Sequence, residues 1–261
     1  MSSKLSTRLR ANAASVPHGW PTPNLLAQKR MFVKKVVFDF DGPIVDFNTA
    51  FLDYLTRLYE LDKKGIKLDA SMLDHYNMGY NARMPITPRQ FQVGLDNFAR
   101  LSRGGYDDRK PMPGIKEALK AIQDAGIRVE IWTYAPGATD HNPDTLAANG
   151  TGAAQKETMD LIERLGILEN PRKQVLFVKP HEKAVEMAKE HIPLIVEDHP
   201  LTAVHAGTIY GNAAILVPEP YNVNVSVPGV LRLDNRADLA PAVIDFFKKL
   251  EEAGCLLSNG R

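Results

Sequence analysis

The sequence predicts an α/β protein with a Rossmann-like, doubly wound parallel sheet and a small helical cap inserted after the first strand. Short β-branched runs recur along the chain and are separated mostly by stretches of helical periodicity. Carboxylate, hydroxyl or lysine side chains follow these runs, where an open parallel sheet binds its ligands. The stretch between Asp46 and Arg109 has amphipathic segments but no such run.

Five strands and four connecting helices are predicted in the main part of the chain. The strands are apolar, and they are expected at 33–40, 128–133, 174–178, 194–197 and 213–217. Apolar residues recur at steps of three and four in the helices, which are expected at 114–124, 154–165, 181–191 and 237–253. This order places helices on both faces of one sheet.

The predicted cap covers residues 46–111 and contains amphipathic segments at 48–60 and 88–100. Turn-rich segments at 102–106 and 110–114 lead the chain back to the sheet. These two segments are therefore expected to act as hinges between the cap and the rest of the protein.

The remaining residues divide into an N-terminal extension and a core that contains the predicted sheet. Residues 1–30 have basic but no acidic side chains, a composition also found in organellar transit segments. Several prolines favour a flexible extension instead. The core is predicted to comprise 31–45 and 112–261, with a long loop at 137–152.

The composition and charge of the chain exclude several classes of function. The chain has 261 residues, of which 44% are hydrophobic and 24% charged, enough for a substantial core. Its 32 basic and 31 acidic side chains give no overall basic field, so neither a nucleic-acid polymer nor a membrane is predicted as a partner. The single cysteine, Cys255, excludes an internal disulfide, and no apolar run is long enough to span a bilayer. A cytoplasmic location is expected.

The strongest chemical signal lies at residues 36–42, Val-Val-Phe-Asp-Phe-Asp-Gly. An apolar strand ends there in two carboxylates, Asp39 and Asp41, and a turn at Gly42 directs both into the crevice at the strand end. Close carboxylates repel one another unless a cation lies between them, so a hard divalent cation is the expected partner. Alone, an Asp-x-Asp sequence is also typical of a solvated turn.

Polar residues follow the later strands as well. Thr133 ends the second strand, where a hydroxyl can bind a phosphoryl oxygen or cap a turn. Lys179 follows the third strand, although a lone lysine there is usually surface charge. Glu197 and Asp198 follow the fourth, and Asp198 is a candidate to complete a magnesium site. Lys183 is the alternative to Lys179, which is preferred because a residue at the strand end is nearer the common crevice.

Taken in order, these residues resemble the four motifs of the haloacid-dehalogenase superfamily: Asp-x-Asp-Gly, then Ser or Thr, then Lys, then an acidic pair. The resemblance covers about residues 33–217, and the predicted cap is similar to the C1 cap of that family. Pro43 stands where Thr or Val is usual, and Glu197-Asp198 stands where Asp-Asp or Gly-Asp is commoner. Neither departure removes a required charge.

The resemblance implies a phosphatase in which Asp39 attacks phosphorus and becomes an aspartyl-phosphate. Asp41 would protonate the leaving oxygen and then activate the attacking water. Having Asp at the second position favours phosphate chemistry over the dehalogenase branch, in which that residue is not Asp.

The resemblance also implies the binding residues. Thr133 and Lys179 would bind phosphoryl oxygens. Mg²⁺ would be held by Asp39, the backbone carbonyl of Asp41 and Asp198.

Two further residue types bear on the metal site. Glu197 would support Asp198. His199 and His205 are six residues apart, a spacing that does not match a helical zinc pair, so zinc is not expected.

The expected substrate is a small phosphorylated metabolite. Residues 132–136 and 215–222 resemble, more loosely, the 5′-nucleotidase and deoxyribonucleotidase branch, which favours a nucleoside monophosphate. A phosphosugar or phosphoglycolate-like ester, a phosphomutase and a non-catalytic regulatory module on the same fold remain as alternatives. Cap aromatics usually form the cap's own core, but five cap residues are also candidates to contact a base or an anion. They are Phe47, Tyr54, Tyr76, Tyr80 and Arg83.

Overall fold

The structure is a computed structural model that describes residue 20 and residues 30–74, 83–100, 109–134 and 153–257. Its strands form one six-stranded, all-parallel sheet in the order β3-β2-β1-β4-β5-β6. The strands are β1 (Lys35–Phe38), β2 (Arg128–Thr133), β3 (Val175–Phe177), β4 (Leu194–Glu197), β5 (Ala213–Leu216) and β6 (Val230–Arg232). The predicted α/β class and parallel sheet are confirmed, and β6 is an addition to them.

Helices connect the strands and also form the inserted unit after β1. They are α1 (Phe47–Leu58), α2 (Pro88–Arg100), α3 (Ile115–Asp124), α4 (Ala153–Leu165), α5 (Pro171–Gln174), α6 (Pro180–Lys189), α7 (Pro200–Val204) and α8 (Leu239–Glu252). Proline begins α5, α6 and α7, where its missing N–H leaves no hydrogen bond unmade. The short α5 and α7 were not predicted, because four or five residues are too few to show a helical repeat.

Apolar side chains cover both faces of the sheet. Val36 and Phe38 of β1 pack into one hydrophobic cluster with Leu119 of α3 and Phe246 of α8. Val37, between them, points to the opposite face, where a second cluster includes residues of α6. The sheet is therefore buried on both sides, and its polar chemistry is confined to strand ends.

The cap has a hydrophobic cluster of its own. Phe51 of α1 contacts both Phe91 and Phe98 of α2, with ring centroids 5.3 and 5.2 Å apart. Where the chain leaves the core, the Asp46 N–H donates to the Lys110 carbonyl at 2.8 Å. The start and the return of the cap therefore run side by side, directly after β1. The predicted hinge at 102–106 lies outside the described residues.

Two residues of the predicted N-terminal extension are described. Trp20 is buried and packs on Phe246 of α8, with centroids 4.8 Å apart, and Lys249 donates to its carbonyl at 2.8 Å. Arg30 donates to the Tyr210 carbonyl at 2.9 Å. The extension is thus attached to the core at both positions. The predicted loop at 137–152 lies outside the described residues.

Among the described residues, none of the helices combines the length and apolar character needed to cross a bilayer.

Candidate active site

The register of the sheet brings the predicted strand-end residues to one edge. Phe38 of β1 pairs with Ile131 of β2 and with Val196 of β4. Asp39, one residue further, is therefore level with Glu197, and its N–H donates to the Val196 carbonyl at 2.9 Å. Thr133 is buried at the end of β2, on the same edge.

Asp39 is held in place by its backbone and by a lysine. Its Oδ1 accepts from the Phe40 N–H at 2.8 Å and lies 2.8 Å from Lys183 Nζ. Its side chain is 16% exposed, so it remains open to a ligand. Burial raises the pKa of Asp39 to about 7: Lys183 lowers it, whereas Glu197 and Asp41 raise it further.

Lys183, and not Lys179, contacts the predicted nucleophile, and this corrects the preference drawn from the sequence. The Lys183 ammonium is almost fully buried between Asp39 and Glu197. Lys179 is 53% exposed and lies 3.4 Å from Glu182. Lys179 directly precedes α6, and helical side chains lean toward the N-terminus, so Lys183 reaches back from the first turns to the strand end.

Glu197 fixes this lysine and the loop after β4. Its Oε1 accepts from Lys183 at 2.9 Å, and its Oε2 accepts from the N–H groups of Asp198 and His199 at 3.0 and 3.1 Å. Burial alone would raise the pKa of Glu197, but Lys183 outweighs it and lowers that pKa. Burial alone would likewise lower the pKa of Lys183, and Asp39 and Glu197 hold it above its ordinary value.

Three carboxylates converge on one point of this edge. One oxygen from each of Asp39, Glu197 and Asp198 lies within 4.8 Å of the others. Burial, followed by the charges of Glu197 and Asp39, raises the pKa of Asp198 well above its ordinary value. We call these three acids and Lys183 the edge cluster. Its acids outnumber its one cation, so the cluster fits a hard divalent cation with oxygen ligands.

Gly42 allows the first and fourth strand ends to approach each other. Its φ is +90°, and a Cβ at this position would lie 2.5 Å from Asp198 Cγ. Only glycine combines this backbone conformation with the space that Asp198 needs. His199 lies next to Asp198, but its Nδ1 accepts from the Thr202 N–H at 3.1 Å and caps α7.

The Asp41 side chain contacts the segment in which the chain returns from the cap. Its Oδ1 lies 2.6 Å from Nη1 of Arg109, whose side chain is fully buried. The Arg109 guanidinium also stacks over Phe40 and donates to Thr158 of α4 at 3.4 Å. Behind Arg109 is a cavity of about 630 Å³ between α1 and α4. No local pattern pointed to this arginine, because its contact with Asp41 spans 68 residues.

A loop after β5 completes the site, and sequence reasoning assigned it no role. The Tyr221 hydroxyl donates to Asp198 Oδ2, and Asn222 Nδ2 donates to the Asp198 carbonyl at 3.1 Å. Glu219 accepts from Asn48 of α1 at 3.0 Å and pairs with Arg236. The available signal was the segment 215–222, through its loose resemblance to nucleotidases.

Three of the five cap residues that are candidates for substrate contact are described. Phe47 and Tyr54 belong to the cap's hydrophobic cluster, and Arg83 lies 3.9 Å from Asp74. Tyr76 and Tyr80 lie outside the described residues.

No protein-family model and no curated protein matches the sequence. Solved structures do match the fold. A protein described as a "predicted phosphatase" from Clostridium acetobutylicum aligns with a TM-score of 0.50 and 13% identity, over 82% of this chain and 99% of its own. A HAD-family hydrolase from Deinococcus radiodurans R1, solved with phosphate and sodium, aligns with a TM-score of 0.48 and 18% identity, over 86% and 97%. The first of these two alignments supports the α/β fold that the parallel sheet shows.

Proposed function

We propose that this chain, which has the haloacid-dehalogenase-like fold, is a divalent-cation-dependent phosphomonoester hydrolase with Asp39 as its nucleophile. The observation that carries the proposal is the edge cluster, in which two buried carboxylates and the partly exposed Asp39 lie together with one ammonium at the carboxyl ends of β1 and β4. A surplus of negative charge at a ligand-binding edge suits a site that receives a cation together with an anionic ester.

The reaction proceeds in two displacements. An Asp39 oxygen attacks phosphorus, the ester P–O bond breaks with its electron pair on the leaving oxygen, and Asp41 gives that oxygen a proton. A water then attacks the phosphorus of the aspartyl-phosphate and passes a proton to Asp41. The bond between phosphorus and Asp39 breaks, so inorganic phosphate leaves and both carboxyl groups return to their first states.

Other residues orient these groups. Lys183, which is 2.8 Å from Asp39, donates to the phosphoryl oxygens, and Thr133 donates from the end of β2. Glu197 holds Lys183 in this position. Arg109 contacts the Asp41 side chain and orients it before substrate arrives.

The cation we propose is Mg²⁺, held by Asp39, the backbone carbonyl of Asp41 and Asp198. All three offer oxygen atoms, which Mg²⁺ prefers. When bound, Mg²⁺ neutralises the charge of the transferred phosphoryl group.

The substrate we propose is a small phosphorylated metabolite, first of all a nucleoside monophosphate. Support comes from residues 215–222, which resemble a segment of nucleotidases. Two of these residues, Tyr221 and Asn222, contact Asp198, so the segment lies at the site. Tyr134, directly after Thr133, is 41% exposed and offers an aromatic face at the same edge. The presence of a single cysteine, Cys255, supports the proposed cytoplasmic location.

Phosphate release from a panel of esters tests the proposal. The panel comprises nucleoside monophosphates, sugar phosphates and phosphoglycolate, each with Mg²⁺ and with EDTA. We expect Mg²⁺-dependent release that is lost in Asp39→Asn, with a nucleoside monophosphate as the best substrate. A rearranged ester without free phosphate would indicate a phosphomutase, and no reaction with any ester would contradict an enzymatic role.

A further inference from the structure

Tyr221 lies in the loop after β5, in a 3₁₀ turn formed by Pro220–Asn222. Its hydroxyl donates to Oδ2 of Asp198. Asn222 fixes the turn to the same residue, because its Nδ2 donates to the carbonyls of Asp198 and Val217 at 3.1 and 2.8 Å. One short turn therefore contacts both the side chain and the backbone of Asp198.

Asp198 needs such a restraint. Its carboxylate is buried beside Glu197 and Asp39, and like charges at this distance repel one another. Gly42 closes one side of it, since even a Cβ there would lie 2.5 Å from its Cγ. The Tyr221 hydroxyl provides a hydrogen bond from another element and adds no further charge.

Tyr221 also touches the cap. Asn48, in the first turn of α1, lies 3.5 Å from the Tyr221 hydroxyl and donates to Glu219 at 3.0 Å. The Tyr221 ring packs against the cap's hydrophobic cluster. Arg236 joins the same group, since it pairs with Glu219 and donates to the Gly42 carbonyl at 3.0 Å.

We propose that Tyr221 is a positioning residue. Its hydroxyl orients Asp198 for a divalent cation, and its ring, which packs on the cap, fixes the position of Asp198 relative to the cap. The inference rests on the proposed function, because it assigns Asp198 as a cation ligand. Residues that orient metal ligands typically change metal affinity or activity by about 10–100-fold when they are replaced.

Tyr221→Phe isolates the hydroxyl, since it keeps the ring that packs on the cap. Tyr59→Phe is the matched control: the Tyr59 hydroxyl also makes a side-chain hydrogen bond, to the Gln90 carbonyl at 2.5 Å, but within the cap. Mg²⁺ affinity is measured by isothermal titration calorimetry on all three full-length proteins, and thermal unfolding in EDTA shows whether each variant is folded.

We expect Tyr221→Phe to bind Mg²⁺ at least about 10-fold more weakly than the wild type, with turnover largely recovered at high Mg²⁺ concentration. Tyr59→Phe should bind Mg²⁺ as the wild type does. A Tyr221→Phe affinity within about twofold of the wild type would overturn the inference, as would an equal loss in both variants.

The proposed function fails in a different way. If the wild type binds Mg²⁺ but hydrolyses no ester, the phosphatase proposal is wrong while the calorimetric comparison still decides the role of Tyr221. If the wild type hydrolyses esters and Tyr221→Phe binds Mg²⁺ normally, only the role of Tyr221 is wrong. A wild type that binds no divalent cation overturns both.

Discussion

Two groups of charged residues, each with buried members, lie on the same sheet. The edge cluster lies at the carboxyl ends of the strands, and the second group, which we call the sheet cluster, lies nearer their amino ends. In the sheet cluster, Glu130 of β2 lies 2.9 Å from Lys35 and 2.5 Å from Arg128, and accepts from the Trp132 indole at 3.1 Å. One carboxylate there meets two cations and a neutral donor.

The edge cluster has the opposite balance. Lys183 is its one cation and is shared by Asp39 and Glu197, while Asp198 receives the neutral Tyr221 hydroxyl. Both clusters contain buried charges, namely Lys35 and Glu130 in one and Lys183 and Glu197 in the other, so burial of charge does not separate structure from function. The balance of charge does separate them. A cluster whose charges are all paired stabilises the fold, whereas a cluster with a surplus of negative charge can bind a positively charged ligand.

The largest expected effect is on turnover, from Asp39→Asn. We expect phosphate release to fall at least about 1000-fold, because the amide is not a nucleophile. Thermal unfolding in EDTA should be unchanged or occur at a higher temperature, because one of three repelling charges is removed and Lys183 keeps Glu197. A variant that keeps a substantial part of its turnover would show that Asp39 is not the nucleophile.

Glu130→Gln tests the sheet cluster by the same kind of change. We expect the free energy of unfolding to fall by about 3 kcal/mol, because buried Lys35 loses its nearest acid and keeps only the more exposed Glu190, 3.6 Å away. Turnover well below the unfolding temperature should match the wild type. Urea denaturation gives the first quantity and phosphate release the second. Loss of turnover in a folded Glu130→Gln protein would contradict the division between the two clusters.

Lys183, the cation of the edge cluster, can be compared with Lys179, which lies outside the cluster. Lys183→Met should lower kcat by about 100–1000-fold, as removal of a donor to a transition-state oxygen does. Lys179→Met should change kcat by less than about twofold, because its ion pair with Glu182 is at the surface. Circular dichroism establishes that both variants are folded. Similar losses in the two variants would mean that Lys179 also reaches the substrate.

The smallest expected effect is stabilisation by Mg²⁺. At about 100 times its dissociation constant, Mg²⁺ should add about 2.7 kcal/mol to the free energy of unfolding. Thermal unfolding with and without Mg²⁺ measures the gain, which Asp198→Asn should largely remove and Glu130→Gln should retain. The same gain in Asp198→Asn as in the wild type would place the cation elsewhere.

The sequence predicted the parts of the molecule that depend on local pattern. The bounds of β2, β4 and α2 agree with the apolar runs, because those elements are long or fully buried. β6 was missed because its three residues at the edge of the sheet are only alternately buried. The sequence also predicted that the strand-end residues lie close together, because the carboxyl ends of parallel strands share one edge of the sheet.

What the sequence could not predict depends on direction and on distant contacts. Lys183, and not Lys179, contacts Asp39 because side chains lean toward the N-terminus of α6, which a rule based on strand ends ignores. Arg109 and Tyr221 reach the site across 68 and 23 residues, respectively. A lone arginine before a turn and a tyrosine after a strand carry no local pattern that reveals such contacts.

The side-by-side start and return of the cap have a consequence for protein engineering. Asn48 is in the first turn of α1, and Arg109 lies where the chain returns from the cap, so the cap supplies one partner to Glu219 and one to Asp41. A cap grafted from another protein would have to bring equivalents of both residues. Swapping this cap is therefore a redesign of the proposed catalytic centre, and chimeras that retain Asn48 and Arg109 are the ones to make.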